Sequence, residues 1–168
     1  MRVDLSKLEL PSPQPELPEG LRFEGIDNIS NDRIKEPFFK SFIDRGDRLF
    51  LDMTRSQQTV SFNYWLRRSE PFHRASILVM KGDDVIGLNV VRQDNDKAEI
   101  GPVAIIPEYK RQGIMSTTLY ESLKRMKVDG LKFAQLEADA LNEPAIKLYT
   151  KFGFQTQYNQ EYFAWRVE

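Results

Sequence analysis

The run Val103-Ala-Ile-Ile-Pro-Glu-Tyr-Lys-Arg-Gln-Gly-Ile-Met-Ser-Thr-Thr-Leu119 sets two cations and a glycine between a strand pattern and a helix pattern. The first turn of a helix has unpaired N–H groups and the positive end of the dipole, so an anion can rest there. Gly113 lets the backbone come close, and Lys110 and Arg111 add charge. Such a loop suits a pyrophosphate; taken alone, Lys110 and Arg111 also read as an ordinary solvated charge cluster. Neither G-x-x-x-x-G-K-[ST] nor G-x-G-x-x-G after a strand occurs, so a phosphate-bearing cofactor other than a nucleoside triphosphate or dinucleotide fits better. The chain has no cysteine, which excludes disulfides, cysteine-ligated metal and a cysteine nucleophile. His73 is the lone histidine and is assigned no role, and the scattered acids show no metal-ligand spacing, so no metal is expected.

The elements that must hold this loop follow from periodicity and turn chemistry. Ser76–Met80, Val85–Val91 and Ala98–Ile106 read as an antiparallel meander, with turns at Lys81–Asp84 and Gln93–Asp96. Gly101-Pro102 interrupts the third of these strands, and a proline there predicts a bulge or a splayed strand. Gln112–Lys127 is the clearest helix, with Ile114, Thr118, Leu119, Ser122, Leu123 and Met126 on one side. Leu131–Ala140 then reads as a strand, which makes a parallel crossover. A second helix carries Ala145, Leu148, Tyr149 and Phe152 at i, i+3, i+4, i+7 and stops at Gly153. Phe154–Tyr158 and Tyr162–Val167 are expected to close the chain as a hairpin.

Upstream, Leu21–Ile26 suggests a strand and Asn31–Arg68 has a helical texture. Pro37 is placed at the start of one helix, with Gly46 as its stop, and Ser56 at the cap of another running through Val60, Tyr64 and Trp65. Pro11, Pro13, Pro15 and Pro18 break helix and sheet alike. Residues 1–20 are therefore expected to form a proline-rich arm outside a single domain of residues 21–168. Within it, residues 21–75 would shape an acceptor pocket and residues 76–168 form the core.

The 168 residues suit one domain, and 40% hydrophobic residues suffice for a sizeable core. A net charge of −1 gives no global attraction for nucleic acid or an anionic membrane. The first ten residues lack the apolar core of a signal peptide, and no stretch is long and apolar enough for a membrane span, so a cytoplasmic location is expected.

The loop segment resembles motif A of the GCN5-related N-acetyltransferases (GNAT), V-x-P-x-(Y/F)-(R/Q)-x-x-G-x-(G/A) ahead of a helix. Downstream, Asn142-Glu-Pro-Ala145-Ile-Lys-Leu148-Tyr149-Thr-Lys-Phe152-Gly153-Phe154 resembles the family's second signature, N-x-x-A-x-x-(L/F)-Y-x-K-x-G-F. The resemblance covers roughly Ile77 to the C-terminus. Lys110 and Met115 depart from it: lysine keeps the charge without the arginine fork, and methionine narrows the space beside a phosphate. The implied fold is a mixed α/β (α+β) one: a six- to seven-stranded mixed sheet with an antiparallel N-terminal meander, splayed middle strands and flanking helices.

The resemblance also implies acetyl-CoA as co-substrate and an amine, small or peptidic, as acceptor. Gln112, Gly113, Ile114, Met115 and Ser116, with Lys110 and Arg111, would hold the pyrophosphate. Val103 and Ile105 would pair with the pantetheine arm, and Asn142 would contact the cofactor near its thioester. Asn142 equally suits a helix cap. Tyr149 would be the general acid for the departing thiolate, since a phenol of pKa near ~10 matches that task; it also sits on an apolar stripe, as a core tyrosine does. Glu99 would be the base, acting through water, or else the partner of a cation on the sheet face. A homodimer built on the C-terminal strands is common in the family. The competing reading is a silent acyl-CoA-binding regulatory module.

Overall fold

The structure is a computed structural model that describes residues 1–43, 48–69 and 71–161. Its strands are β1 (Arg2–Asp4), β2 (Leu21–Gly25), β3 (Ile77–Lys81), β4 (Asp84–Asp94), β5 (Lys97–Ile105) and β6 (Phe133–Leu136). Its helices are α1 (Asn31–Ser41), α2 (Arg48–Asp52), α3 (Arg55–Trp65), α4 (Ile114–Val128) and α5 (Glu143–Lys151). The described strands form one sheet in the order β1-β6-β5-β4-β3-β2, antiparallel except for the β5–β6 pair. Two-residue turns join β3 to β4 and β4 to β5, with Lys81 opposite Asp84 and Asp94 opposite Lys97. Gly82 and Asn95 supply the positive φ that such tight turns need.

The expected irregularity at Gly101-Pro102 is present. Asn89 pairs with Val103 and Val91 with Ile100, so Val90 alone faces the Gly101-Pro102 pair and the register shifts there. A second break lies on the other side of β5. Its pairing with β6 runs from Lys97–Phe133 to Ile100–Leu136 and stops, while β5 continues to Ile105. The two strands part, and one edge of β5 from Gly101 onward has no strand partner among the described residues.

Helices cover both faces of the sheet. On one face α4 and α5 bury Leu119, Leu123, Met126, Tyr149 and Phe152 against Ala98, Ile100, Ala134 and Leu136. On the other, α1 and α3 bury Ile34, Phe38, Phe39, Phe62 and Leu66 against Leu78, Met80, Leu88 and Val90. Phe38 is the hub of this second cluster, with the rings of Phe39, Phe42, Phe50 and Phe62 centred between 5.1 and 5.6 Å from its own.

Several expectations are corrected. The domain does not begin at Leu21: β1 is the edge strand next to β6, and Val3, Leu5 and Leu8 lie in the α4–α5 core. The prolines that follow do run irregularly, but over the fold: Thr117 donates to the Glu16 carbonyl and Leu17 packs in a third cluster with Val79, Ile86, Ile105 and Ile114. Pro37 sits inside α1, whose cap is Ser30. The missing N–H is tolerated because Ile34 before it and Phe38 and Phe39 after it are buried on one face. Thr54, not Ser56, caps α3, through a reciprocal capping box with Gln57. Val60 and Tyr64 are exposed on the outer side of that helix. Of the closing hairpin, Phe154–Tyr158 contributes a single bridge, Gln155 with Arg2; Tyr162–Val167 and the Gly46 stop lie outside the described residues.

His73 serves the fold. Its Nδ1 accepts from the Ala75 N–H at 3.0 Å and its Nε2 lies 3.1 Å from Asp129, which Arg74 also grips. Burial lowers the imidazole pKa, and the Arg74 hydrogen bond lowers that of Asp129. Both groups therefore favour the fold at neutral pH. The His73 contribution is lost as pH falls below the unfolded value of ~6.5 and on through the folded one, and that of Asp129 only in stronger acid, below ~3.9. Thermal melts between about pH 7 and about pH 5 should show Tm falling, and the slope should flatten in His73→Gln. An equal slope in that variant would remove His73 as the cause.

Candidate functional site

The gap left where β5 and β6 part opens into a cavity of about 1070 Å³. Its lining divides by origin. One half comes from β5, the loop into α4, and α5: Val103, Ile105, Lys110, Arg111, Gly113, Ile114, Met115, Ser116, Asn142 and Tyr149. The other half comes from α1, α2 and α3, with Glu99 at the junction. Of the expected residues, Gln112 alone is not in the lining; its amide turns back to donate to the Glu108 carbonyl at 3.1 Å.

At one end stands the start of α4. Gly113 is its N-cap at φ 76°, with no side-chain cap, and the first helical bond is from Thr117 to the Gly113 carbonyl. The N–H groups of Ile114, Met115 and Ser116 thus lie ahead of the helical ladder. Arg111 also has a positive φ, 61°, so the loop winds as a concave run of amides of the kind that binds anions. Ile114 contributes backbone only, since its side chain is buried in the third cluster. Lys110 lines the cavity while its ammonium donates to the Ser41 carbonyl at 3.4 Å, tying the loop to α1.

Tyr149 also lines the cavity. It is 6% exposed, with its ring edge-on to Phe154 at 5.9 Å. Burial pushes its phenol up to about 12, so the proton stays on the oxygen across the working range of an enzyme. Among the described residues no group hydrogen-bonds that hydroxyl. Asn142 caps α5, its Oδ1 accepting from the Ala145 N–H at 3.3 Å, and lines the cavity as well. The cap is thus formed, by a residue that also faces the cavity.

Glu99 is exposed, on the opposite side of β5 from Ala98 and Ile100, and no cation among the described residues pairs with it. Beside it the Trp65 indole covers Gly101: a Cβ at that glycine would meet the ring at 3.3 Å. A further tie spans the two halves. Arg48 of α2 grips Asp139, after β6, through Nε at 2.8 Å and Nη2 at 3.0 Å, which holds the Asp139 carboxyl at about 2. Sequence reading placed Trp65 among aromatics read mainly as core, one or two of which could line the acceptor pocket. It missed Glu137 and the Arg48–Asp139 pair, because tertiary packing alone brings these to the cavity. No group of three or more metal-ligating side chains occurs among the described residues. No helix among them is long and apolar enough to cross a membrane.

This geometry has relatives. The profile of the Acetyltransferase (GNAT) family matches residues 33–154. The chain belongs to the GNAT family. Its domain is that of an acetyl-CoA-dependent N-acetyltransferase. N-alpha-acetyltransferase 30 of Schizosaccharomyces pombe is 28% identical over 108 residues, 61% of this chain and 70% of that protein. An N-alpha-acetyltransferase of Saccharolobus solfataricus is 41% identical over 59 residues. That match takes in 34% of this chain and 35% of the archaeal protein, so the likeness to it spans about a third of its length. In fold the chain is similar to the PaiA N-acetyltransferase of Thermoplasma acidophilum in complex with coenzyme A. That likeness has a TM-score of 0.66 at 16% identity, over 83% of this chain and 92% of the other.

Proposed function

We propose that this GNAT domain transfers the acetyl group of acetyl-CoA to a primary amine by direct attack in a ternary complex. One observation carries the reading: the lining of the cavity in the β5–β6 gap includes a helix start with no side-chain cap and a buried phenol that has no hydrogen-bond partner among the described residues. These features fit a coenzyme A thioester. The α4 amides and Arg111 suit the pyrophosphate, the open edge of β5 at Val103 and Ile105 suits the amide groups of the pantetheine arm, and Asn142 and Tyr149 flank the thioester end.

The acceptor arrives as an ammonium and must lose a proton before its nitrogen can attack. Glu99 takes that proton through water. The neutral nitrogen bonds to the carbonyl carbon and becomes cationic, and the C–S bond breaks with the electron pair leaving on sulfur. The nitrogen gives its second proton to water, as Glu99 also returns its own to solvent. Tyr149 then gives its proton to the thiolate and is reprotonated from solvent, so the sum is amide, free thiol and one released proton. A phenol raised to about 12 still serves, because the same dry gap raises the basicity of a thiolate formed in it. Both sequence relatives named above are N-alpha-acetyltransferases, which favours an α-amine among acceptors.

The cofactor end gives its own prediction. Gly113 meets nothing within 4 Å of a virtual Cβ, so the demand for glycine there comes from its φ of 76°. Gly113→Val should raise KM for acetyl-CoA about tenfold, because a left-handed β-branched residue costs roughly 1–2 kcal/mol and the loop must rearrange to escape it. Titration calorimetry reads the same change as weaker binding; unchanged affinity would remove the loop from the binding role.

The mechanism is tested by thiol release with acetyl-CoA and amine varied against each other. Intersecting double-reciprocal lines are expected, and parallel lines would contradict direct attack. Tight acetyl-CoA binding with no release from any amine would move the silent regulatory module into first place.

A further inference from the structure

We infer that the acceptor is a singly charged amine carried on a bulky apolar residue, with Trp65 as the wall that selects it; this rests on the transferase reading above. The acceptor half of the cavity is walled by Phe42, Leu49, Phe50, Met53 and Trp65. Leu49 is 41% exposed, so apolar surface remains at the mouth for an incoming side chain to cover. Trp65 is held in place from two directions. Its ring rests on Gly101, where nothing larger than hydrogen fits without moving it, and its carbonyl accepts from the Arg92 guanidinium at 3.0 Å.

Charge in the cavity points to a single ammonium. The carboxylates of its described lining are Glu99, Glu137 and Asp139. Asp139 is neutralised by Arg48, and Glu137 interacts with the Met1 ammonium, which leaves Glu99 as the lining carboxylate with no cation paired to it among the described residues. A polycation needs several unneutralised carboxylates to hold it, and Glu99 alone supplies one. One ammonium, by contrast, suits Glu99, which shares the cavity lining with Trp65 and lies two residues before the Gly101 that Trp65 covers. An amine with its cation toward Glu99 and its apolar body along Trp65 uses both surfaces, and Glu99 lies just before the point where β5 and β6 part.

The test compares kcat/KM, with acetyl-CoA saturating, for phenylalaninamide, leucinamide, glycinamide and spermidine. Phenylalanine- and glycine-initiated short peptides are run alongside to separate a free residue from a chain terminus. Phenylalaninamide and leucinamide should exceed glycinamide by roughly ten- to hundredfold, the range expected for covering one large apolar side chain. Trp65→Ala should collapse that preference to within a few-fold, with the loss in KM of the apolar amines rather than in kcat, and Trp65→Phe should keep most of it. A preference for spermidine or glycinamide in the unmodified protein overturns the inference, as does a preference that survives in Trp65→Ala. Thiol release with none of these amines overturns the transferase reading and this inference with it.

Discussion

Replacing Tyr149 by phenylalanine should lower kcat by ~10²–10⁴, the usual worth of a positioned general acid. The change removes one oxygen and leaves the ring packed on Phe154, in a position already 6% exposed. Among the described residues no hydrogen bond is lost with that oxygen, so the thermal midpoint should not fall. KM for acetyl-CoA should change by no more than a few-fold, because the pyrophosphate end is built by α4. Kinetics and a thermal melt of the same preparation separate the outcomes: a normal kcat takes the acid role from Tyr149, whereas a fallen kcat with a fallen Tm makes it a core residue. Since burial raises this phenol to about 12, its deprotonation should impose no alkaline limb on kcat below that pH. A limb near ~10, the value of a solvated phenol, would show that Tyr149 is wetter in solution than its packing implies.

The N-terminal strand gives the second large effect. Leu5 is 1% exposed and shares a core with Leu123, Met126 and Phe152. Leu5→Ala should cost about 2–5 kcal/mol, the range for truncating a fully buried leucine. In a domain of this size each kcal/mol lowers Tm by roughly 2–4 °C. Urea unfolding should show the midpoint move with little change in slope. A shift within about 0.5 kcal/mol, as at an ordinary surface site, would return residues 1–20 to the status of a detachable arm. The functional consequence runs through β6. Leu5 donates to the Lys132 carbonyl at 2.8 Å, and the Leu136 N–H donates to Met1 at 2.9 Å. Without β1, the strand whose end defines the cofactor gap becomes an edge.

The elements legible beforehand were those with local causes. The tight turns at Gly82 and Asn95, the stripe of α4 and the cap-to-stop frame of α5 are all written in neighbouring residues, and so is the break at Gly101-Pro102. The loop and α5 side of the cavity was legible for the same reason, since two compact motifs carry it. Elsewhere local signals misled. Four prolines after Leu10 hid Val3, Leu5 and Leu8, whose partners Lys132–Leu136 are distant in sequence. Pro37 looked like a helix start because its cost inside a helix is local, whereas the burial of Phe38 and Phe39 that offsets it is tertiary. The acceptor wall was legible only as a region, residues 21–75, and not residue by residue. Trp65 reaches the site by resting on Gly101, and Arg48 by meeting Asp139 across 91 positions.

The most direct test of the account is to incubate the protein with acetyl-CoA deuterated in its acetyl group and a single α-amine, phenylalaninamide. Mass spectrometry then follows the label. It should appear in an amide of that amine, in step with free thiol and with none retained on the protein. Label found on the protein before it reaches the amine would contradict direct attack, and label left on coenzyme A while the protein stays saturated with it would contradict the enzyme.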